Sequence, residues 1–216
     1  MTKTRIDFMD KRAMLRKQLI KRANTKIVEK MAGKEVHIIK AVNLTKDLEA
    51  ISNLMKENVA DWKMKMPSGE AEGMFTDLEK NALAVDEERK KLVTFITAEM
   101  KKEFPTFSVL ATPIIGARLL SQAGSKERLC MMPSSTVQVL GAEKALFKHR
   151  RERAMCPKHG HIFNHPLMQK LPKQKRGKAA RIIAGILSRA LRIDYFGGAD
   201  MSKEMQKEME DKINKL

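Results

Sequence analysis

The apolar residues between positions 44 and 66 leave this chain little choice of fold. Leu44, Leu48, Ile51, Met55, Val59, Trp62 and Met66 are separated by 4, 3, 4, 4, 3 and 4 residues. That is the spacing of a coiled-coil seam, and no strand could place these side chains on one face. Pro67-Ser68-Gly69 interrupts the pattern, with Gly73 in the same loop. Thr76-Asp77-Leu78-Glu79 has the form of a capping box, and Leu78, Ala82, Val85, Leu92, Ile96 and Met100 make a second seam behind it. Two long helices joined by a short loop pack antiparallel, so residues 34–104 are predicted to form a coiled-coil hairpin with Trp62 and the methionines in its core.

The flanking segments are also helical by pattern. Phe8, Leu15, Leu19, Ala23, Ile27 and Met31 recur at helical spacing before Gly33, which predicts a basic N-terminal helix over 1–33. Its Lys and Arg residues make either a solvated face on a packing helix or an auxiliary contact to RNA phosphates. From 105 to 198, six of the seven prolines cut the chain into short helices, with Ser125 and Ser134 or Ser135 as N-caps. Ile114, Ile115, Leu119, Leu120, Leu129, Val137, Val139 and Leu140 are the expected packing residues of this compact domain. Met205, Met209, Ile213 and Leu216 predict a short C-terminal helix within 199–216. Aromatic content of 5% and the scarcity of alternating β-branched residues argue against a sheet, so the expected class is all-α.

Charge is concentrated in one place. Between Lys144 and Arg192 there are fourteen Lys or Arg against one acid, Glu152, so this stretch carries +13 of the chain's +17. Such a stretch cannot neutralise itself and calls for a polyanion, of which nucleic acid is the usual one. On a helical wheel Lys178, Arg181, Gly185, Arg189 and Arg192 project to one side, while Ala179, Ile182, Ile183, Ile186, Leu187 and Ala190 take the other. The glycine at the centre of the basic face leaves room for a backbone to approach. This reads as a helix laid on nucleic acid.

Other chemistries are poorly served. No apolar run approaches the ~20 residues needed to cross a bilayer, and the N-terminus lacks the form of a signal peptide. Cys130 and Cys156 do not make a disulfide framework. Cys156, His159, His161 and His165 have spacing that could offer ligands to zinc, but only one knuckle is present where zinc modules pair two. There is no phosphate-binding glycine loop and no nucleophile elbow. Glu143 beside Lys144 reads as a structural or interface ion pair in preference to an acid–base pair. Neither enzymatic activity nor a cofactor or metal is expected.

A family resemblance is carried by Gly116-Ala-Arg-Leu-Leu-Ser-Gln-Ala-Gly124 and Pro133-Ser-Ser-Thr-Val-Gln-Val-Leu-Gly-Ala-Glu-Lys-Ala-Leu-Phe147. It continues through Pro157-Lys-His-Gly-His-Ile-Phe-Asn-His-Pro166 and Arg176-Gly-Lys-Ala-Ala-Arg181 to Arg192-Ile-Asp194. These segments resemble the Nop domain of box C/D ribonucleoprotein scaffolds, over about half the chain, and the hairpin ahead of them is also expected of that family. Gln174-Lys175-Arg176-Gly177-Lys178 looks more like the archaeal scaffolds, with one additional lysine.

The resemblance implies recognition of a composite surface: a kink-turn RNA with a small ribosomal-type kink-turn protein already bound. It assigns Gly141, Ala142, Glu143, Ala145, Leu146 and Phe147 to the partner-protein interface. Lys144, Lys148, Lys158, His159, Lys178, Arg181, Arg189 and Arg192 are then expected to contact RNA, mostly through phosphate and shape. Family scaffolds begin with a domain that recruits fibrillarin; this chain starts almost at the helix before the hairpin, so recruitment is not carried over. The short tip, Pro67 to Thr76, leaves family-style homodimerisation open. The resemblance implies a cytoplasmic protein if archaeal and a nuclear or nucleolar one if eukaryotic. Alternatives are a splicing-type Nop protein on a small nuclear RNA, a less specific basic RNA-binding protein, and, remotely, a single-zinc structural module.

Overall fold

A computed structural model describes residues 3–31, 33–65 and 72–216, and the regular elements there are all helices. The chain divides into two compact units, residues 1–37 and 38–216. In the first, α1 (Lys3–Met31) is one long helix, and Leu15, Leu19 and Ile27 of its apolar stripe are exposed. The side chains of Phe8 and Met31 lie outside the described residues.

The second unit contains the predicted hairpin. α2 (Lys34–Lys65) enters this unit at Ile38, and α3 (Glu72–Glu103) returns alongside it. Trp62 meets Phe75 edge-on at 5.4 Å, Lys63 pairs with Glu79 at 2.6 Å, and Lys56 pairs with Asp86. Partner numbers rise on one helix as they fall on the other, so the arms are antiparallel. Met66 and the Pro67-Ser68-Gly69 tip lie outside the described residues.

Three expectations for the hairpin require correction, the first being its core: Trp62 is 40% exposed and Met64 84% exposed, near the end of the arm where few neighbours cover them. Helix α3 starts at Glu72, so Thr76 is inside it and bonds back to the Glu72 carbonyl at 2.9 Å instead of capping. The register of α2 also differs. Val59 is buried as expected, but Leu44 and Ile51 are about half exposed, while Ile38, Val42 and Ser52 are buried. A heptad pattern admits two neighbouring stripes about 100° apart. Here the chosen stripe places small Ser52 and half-buried Thr45 inward, which leaves room near Asp86 and Arg89 of α3. On α3 itself the predicted seam is the observed one, with Ala82, Ile96 and Met100 buried.

The prolines do what their chemistry suggests. Pro105, Pro113 and Pro166 open α4 (Pro105–Ala111), α5 (Pro113–Ala123) and α9 (Pro166–Gln169). Pro133 and Pro172 stand immediately before α7 (Ser134–Val139) and α10 (Lys173–Phe196). A first-turn proline lacks only an N–H that the helix could not have used. Pro133 thus holds the N-cap position expected of Ser134 or Ser135, whereas Ser125 caps α6 (Lys126–Met131) as expected, accepting from the Arg128 N–H at 3.1 Å.

The core is built around α10. Ala179, Ala180, Ile183, Ala184, Leu187, Ala190 and Leu191 are almost fully buried. Four alanines on that face let α4, α6, α7 and α11 (Ser202–Asn214) approach closely. The C-terminal helix has its partner within the chain: Met205, Met209 and Ile213 are buried in the same core, and α11 packs on α10 and α4. Asp194, near the end of α10, accepts from the Thr106 and Phe107 N–H groups at 3.2 and 2.8 Å and so caps α4 from 87–88 residues away. Asp200 accepts from the Ser202 N–H at 2.9 Å and the Thr106 hydroxyl at 3.3 Å, adding α11 to the same joint.

His165 is another structural joint. One ring nitrogen, Nε2, donates to the Leu110 carbonyl at 2.8 Å and the other, Nδ1, accepts from the Leu167 N–H at 3.3 Å, which specifies the neutral ring. Burial, partly opposed by the Leu110 bond, lowers its pKa from 6.5.

Two predictions follow from these joints. Asp194→Ala should cost about 1–2 kcal/mol in urea denaturation, because α4 loses its only side-chain cap, with Asp194→Asn intermediate. The unfolded chain binds a proton at His165 more readily than the folded one, so stability is full above about pH 6.5 and falls as pH drops toward the lowered folded pKa. His165→Gln should reduce that decline, read as denaturation midpoint against pH, while His159 and His161, also lowered mainly by burial, keep their share of it; the lowered carboxylates Asp200 and Glu208 act only in a more acidic window.

Candidate nucleic-acid interface

The basic face of α10 is held outward by the burial of its opposite face. Lys178, Arg181 and Arg192 are exposed, and among the described residues no carboxylate pairs with them. At about 1.5 Å rise per residue they extend over about 21 Å of helix surface. Between them Gly185 has open space above its α-carbon, as the wheel suggested. Arg189 differs from these three. Its guanidinium donates to both carboxylate oxygens of Glu208 on α11 at 2.7 Å, so this member of the predicted RNA face is engaged within the protein.

Lys158 and His159 reach the start of α10, beside Gly177 and Arg176, through a short paired segment. The Gly160 N–H donates to the Gln138 carbonyl at 2.9 Å and the His161 N–H to the Leu140 carbonyl at 2.8 Å. The Gln138 side-chain amide adds a bond to the Lys158 carbonyl at 2.7 Å. Two glycines permit this approach. A Cβ on Gly160 would stand 2.0 Å from the Leu140 oxygen, and one on Gly141 would stand 2.4 Å from the His161 ring, at a backbone φ of +93° that already favours glycine. With the segment so placed, the Lys158 stem packs over Gly177 of α10.

His159 stacks on Phe163, centroids 4.6 Å apart and planes 18° from parallel, and Arg176 lies 5.4 Å from the same ring. The Arg176 Nε also donates to the Leu171 carbonyl at 2.9 Å. Burial first, then the Arg176 charge, lowers the His159 pKa below its ordinary value. These side chains, with Lys158 and Lys173, line a depression of about 420 Å³. Arg176 and Phe163 were not singled out by pattern, because Arg176 sits on the apolar side of the wheel. The signal lay only in its sequence proximity to the basic face.

The other predicted surface is α8 (Glu143–Glu152), which has no buried residue. It leaves the same paired segment at Gly141, whose N–H donates to a Glu143 carboxylate oxygen at 2.7 Å. Glu143 therefore fastens the entry to its own helix. Along α8, Lys144, Ala145, Phe147 and Lys148 are exposed, Phe147 by 61%, while Ala142 and Leu146 are half-buried. Lys148 has a loose pair with Glu152 at 3.8 Å, worth little between exposed groups.

The Cys156–His165 spacing does not assemble a metal centre. Among the described residues no three His, Cys, Asp or Glu side chains come together in metal-binding geometry. Cys156 is exposed, His159 is stacked on Phe163, and His165 is buried against Leu110. No described helix is long and apolar enough to cross a membrane.

Comparison with known proteins identifies the family to which this fold belongs. A family model described as Nop, snoRNA binding domain, fibrillarin, matches residues 9–215. An uncharacterized NOP5 family protein of Methanocaldococcus jannaschii is 50% identical over 111 residues, covering 51% of this chain and 27% of the relative. Mouse nucleolar protein 56 is 34% identical over 135 residues, covering 61% of this chain and 23% of the relative. The chain thus spans about a quarter of the length of these relatives. The crystal structure of a fibrillarin/Nop5p complex superposes with a TM-score of 0.70 at 28% identity, covering 96% of this chain and 80% of that one. With the match extending over nearly its whole length, the chain belongs to the Nop family.

Proposed function

We propose that this chain is an RNA-binding scaffold of a box C/D-type ribonucleoprotein, docking on a kink-turn RNA together with its bound kink-turn protein. The observation that carries the reading is the strip of exposed, unpaired cations Lys178, Arg181 and Arg192 on α10, with exposed Lys158 packed beside its start at Gly177. Each cation that neutralises a phosphate also releases counterions, so such a face holds RNA by position and shape. Helix α8, with Phe147 exposed and its root on the segment that carries Lys158, suits a protein partner seated beside that RNA. Gly141, Ala142, Glu143, Ala145 and Leu146 form or adjoin that surface, with Lys144 and Lys148 at its charged margin. A scaffold of this kind positions other molecules and needs no catalytic group of its own.

Arg189 is assigned a lesser part, because Glu208 already neutralises it. Fibrillarin is named in the family description and is the partner of Nop5p in the solved complex. The sequence-based expectation that its recruitment is not carried over is therefore open to test alongside RNA binding.

Gel-shift titrations on a kink-turn RNA, with and without the kink-turn protein and at two salt concentrations, test this reading. Arg181→Ala and Lys158→Ala should each weaken assembly by about three- to tenfold and lower the salt slope by about one phosphate contact. Arg189→Ala should change affinity less than either. Binding that ignores the small protein, or unchanged affinity in both of the first two variants, would remove the composite-surface assignment.

A further inference from the structure

A separate concentration of positive charge lies where the hairpin meets the helical domain, away from the basic face of α10. A cavity of about 250 Å³ is enclosed there by α2, α3 and α5, with Val42, Val93, Ile96 and Ile114 as its apolar wall. Lys46, Arg89 and Arg118 also line it, against a single carboxylate, Glu49, so its lining carries a formal +2. Lys46 and Arg118 have no carboxylate partner among the described residues. Arg89 is only partly neutralised: its buried Nε has no hydrogen-bond acceptor, and the nearest Asp86 oxygen is 3.6 Å away. That carboxylate is already bonded to Lys56 across the hairpin. His161, whose buried Nε2 also lacks a partner, feels the charges of both Lys46 and Arg118, with Glu143 opposing.

Cations that line one cavity repel one another, and a buried guanidinium N–H without an acceptor costs free energy. An oxyanion would relieve both at once. Guanidinium forks match the oxygens of phosphate in particular, and the net +2 of the lining matches a dianion. The cavity is too small for a nucleoside-sized ligand with its base enclosed, being below the usual ~300–1,000 Å³ of such sites. We propose that this cavity is a binding site for a phosphate-class oxyanion, held by Arg89, Arg118 and Lys46 at the root of the hairpin. The anion would tie three helices together and so stabilise the angle at which the arm leaves the domain.

The site is independent of the RNA-binding reading, and its test uses inorganic pyrophosphate as the probe. Thermal unfolding of the full chain is followed across a pyrophosphate titration, with sodium chloride at matched ionic strength as control. A ligand that binds only the folded state should raise Tm by about 3 °C at tenfold excess over its dissociation constant. Arg118→Gln and Lys46→Gln should each weaken affinity about tenfold, which cuts that Tm shift to about a third, and Lys46→Gln serves if the first variant folds poorly. Arg181→Ala, on the other face, should leave it intact. A response reproduced by sodium chloride, or equal in Lys46→Gln and the unaltered chain, would overturn the proposal. Competition identifies the natural source. If pyrophosphate displaces structured RNA less effectively from Lys46→Gln than from the unaltered chain, the anion is an RNA phosphate. If RNA binding is indifferent to Lys46, it is a free oxyanion; either result upholds the site.

Discussion

Burial of one face of α10 is the constraint on which the rest of the domain depends. Its alanines and branched aliphatics sit in a core shared with α4, α6, α7 and α11. The helix cannot rotate without driving Lys178, Arg181 and Arg192 into that core, where desolvation would be prohibitive. Hydrophobic packing therefore aims the charge. The small side chains matter because they bring the surrounding helices close, so the helix is gripped over most of its length and exposes only a narrow cationic strip.

Everything else near the strip is arranged by short-range polar joints. Asp194 and Asp200 bind the start of α4 to the ends of α10 and α11. The pairing of residues 138–140 with 158–161 brings Lys158 onto α10 and gives α8 its root. These joints depend on atoms that cannot be exchanged for larger ones, as the contacts of Gly160 and Gly141 show. A helical domain with short elements gains its definition from such joints, since helices of six or seven residues have little stability of their own.

The hairpin illustrates a different balance. Much of its seam is apolar, yet Ser52, Asp86 and Arg89 place polar atoms at or beside it, with Lys56 bridging to Asp86. The bonded Lys56 ammonium holds the Asp86 carboxyl below its usual range. Such a cluster adds little net stability near the surface but penalises a slipped register, because a shift would part the charges. The Arg89 end of this cluster opens into the charged cavity under α5, which couples the register of the arm to the chemistry of the root.

Helix content, the antiparallel arms, the α3 seam and the proline-opened helices were legible from local chemistry, since periodicity and first-turn proline act over a few residues. The basic face of α10 was legible for the same reason: a wheel needs only spacing. The stripe chosen by α2 was not, because Leu44 and Ile51 are more apolar than Thr45 and Ser52, and only the opposing Asp86 and Arg89 decide between them. Nor could spacing reveal that Arg189 would meet Glu208, that Arg176 would cover Phe163, or that Asp194 would cap α4 from the far end of the domain. The sequence by itself determined which segments are helical and where the positive charge is concentrated. Which cations stay free, which are neutralised and which gather around a cavity was decided by tertiary structure, because those outcomes rest on pairs of residues distant in sequence and a few ångströms apart in space.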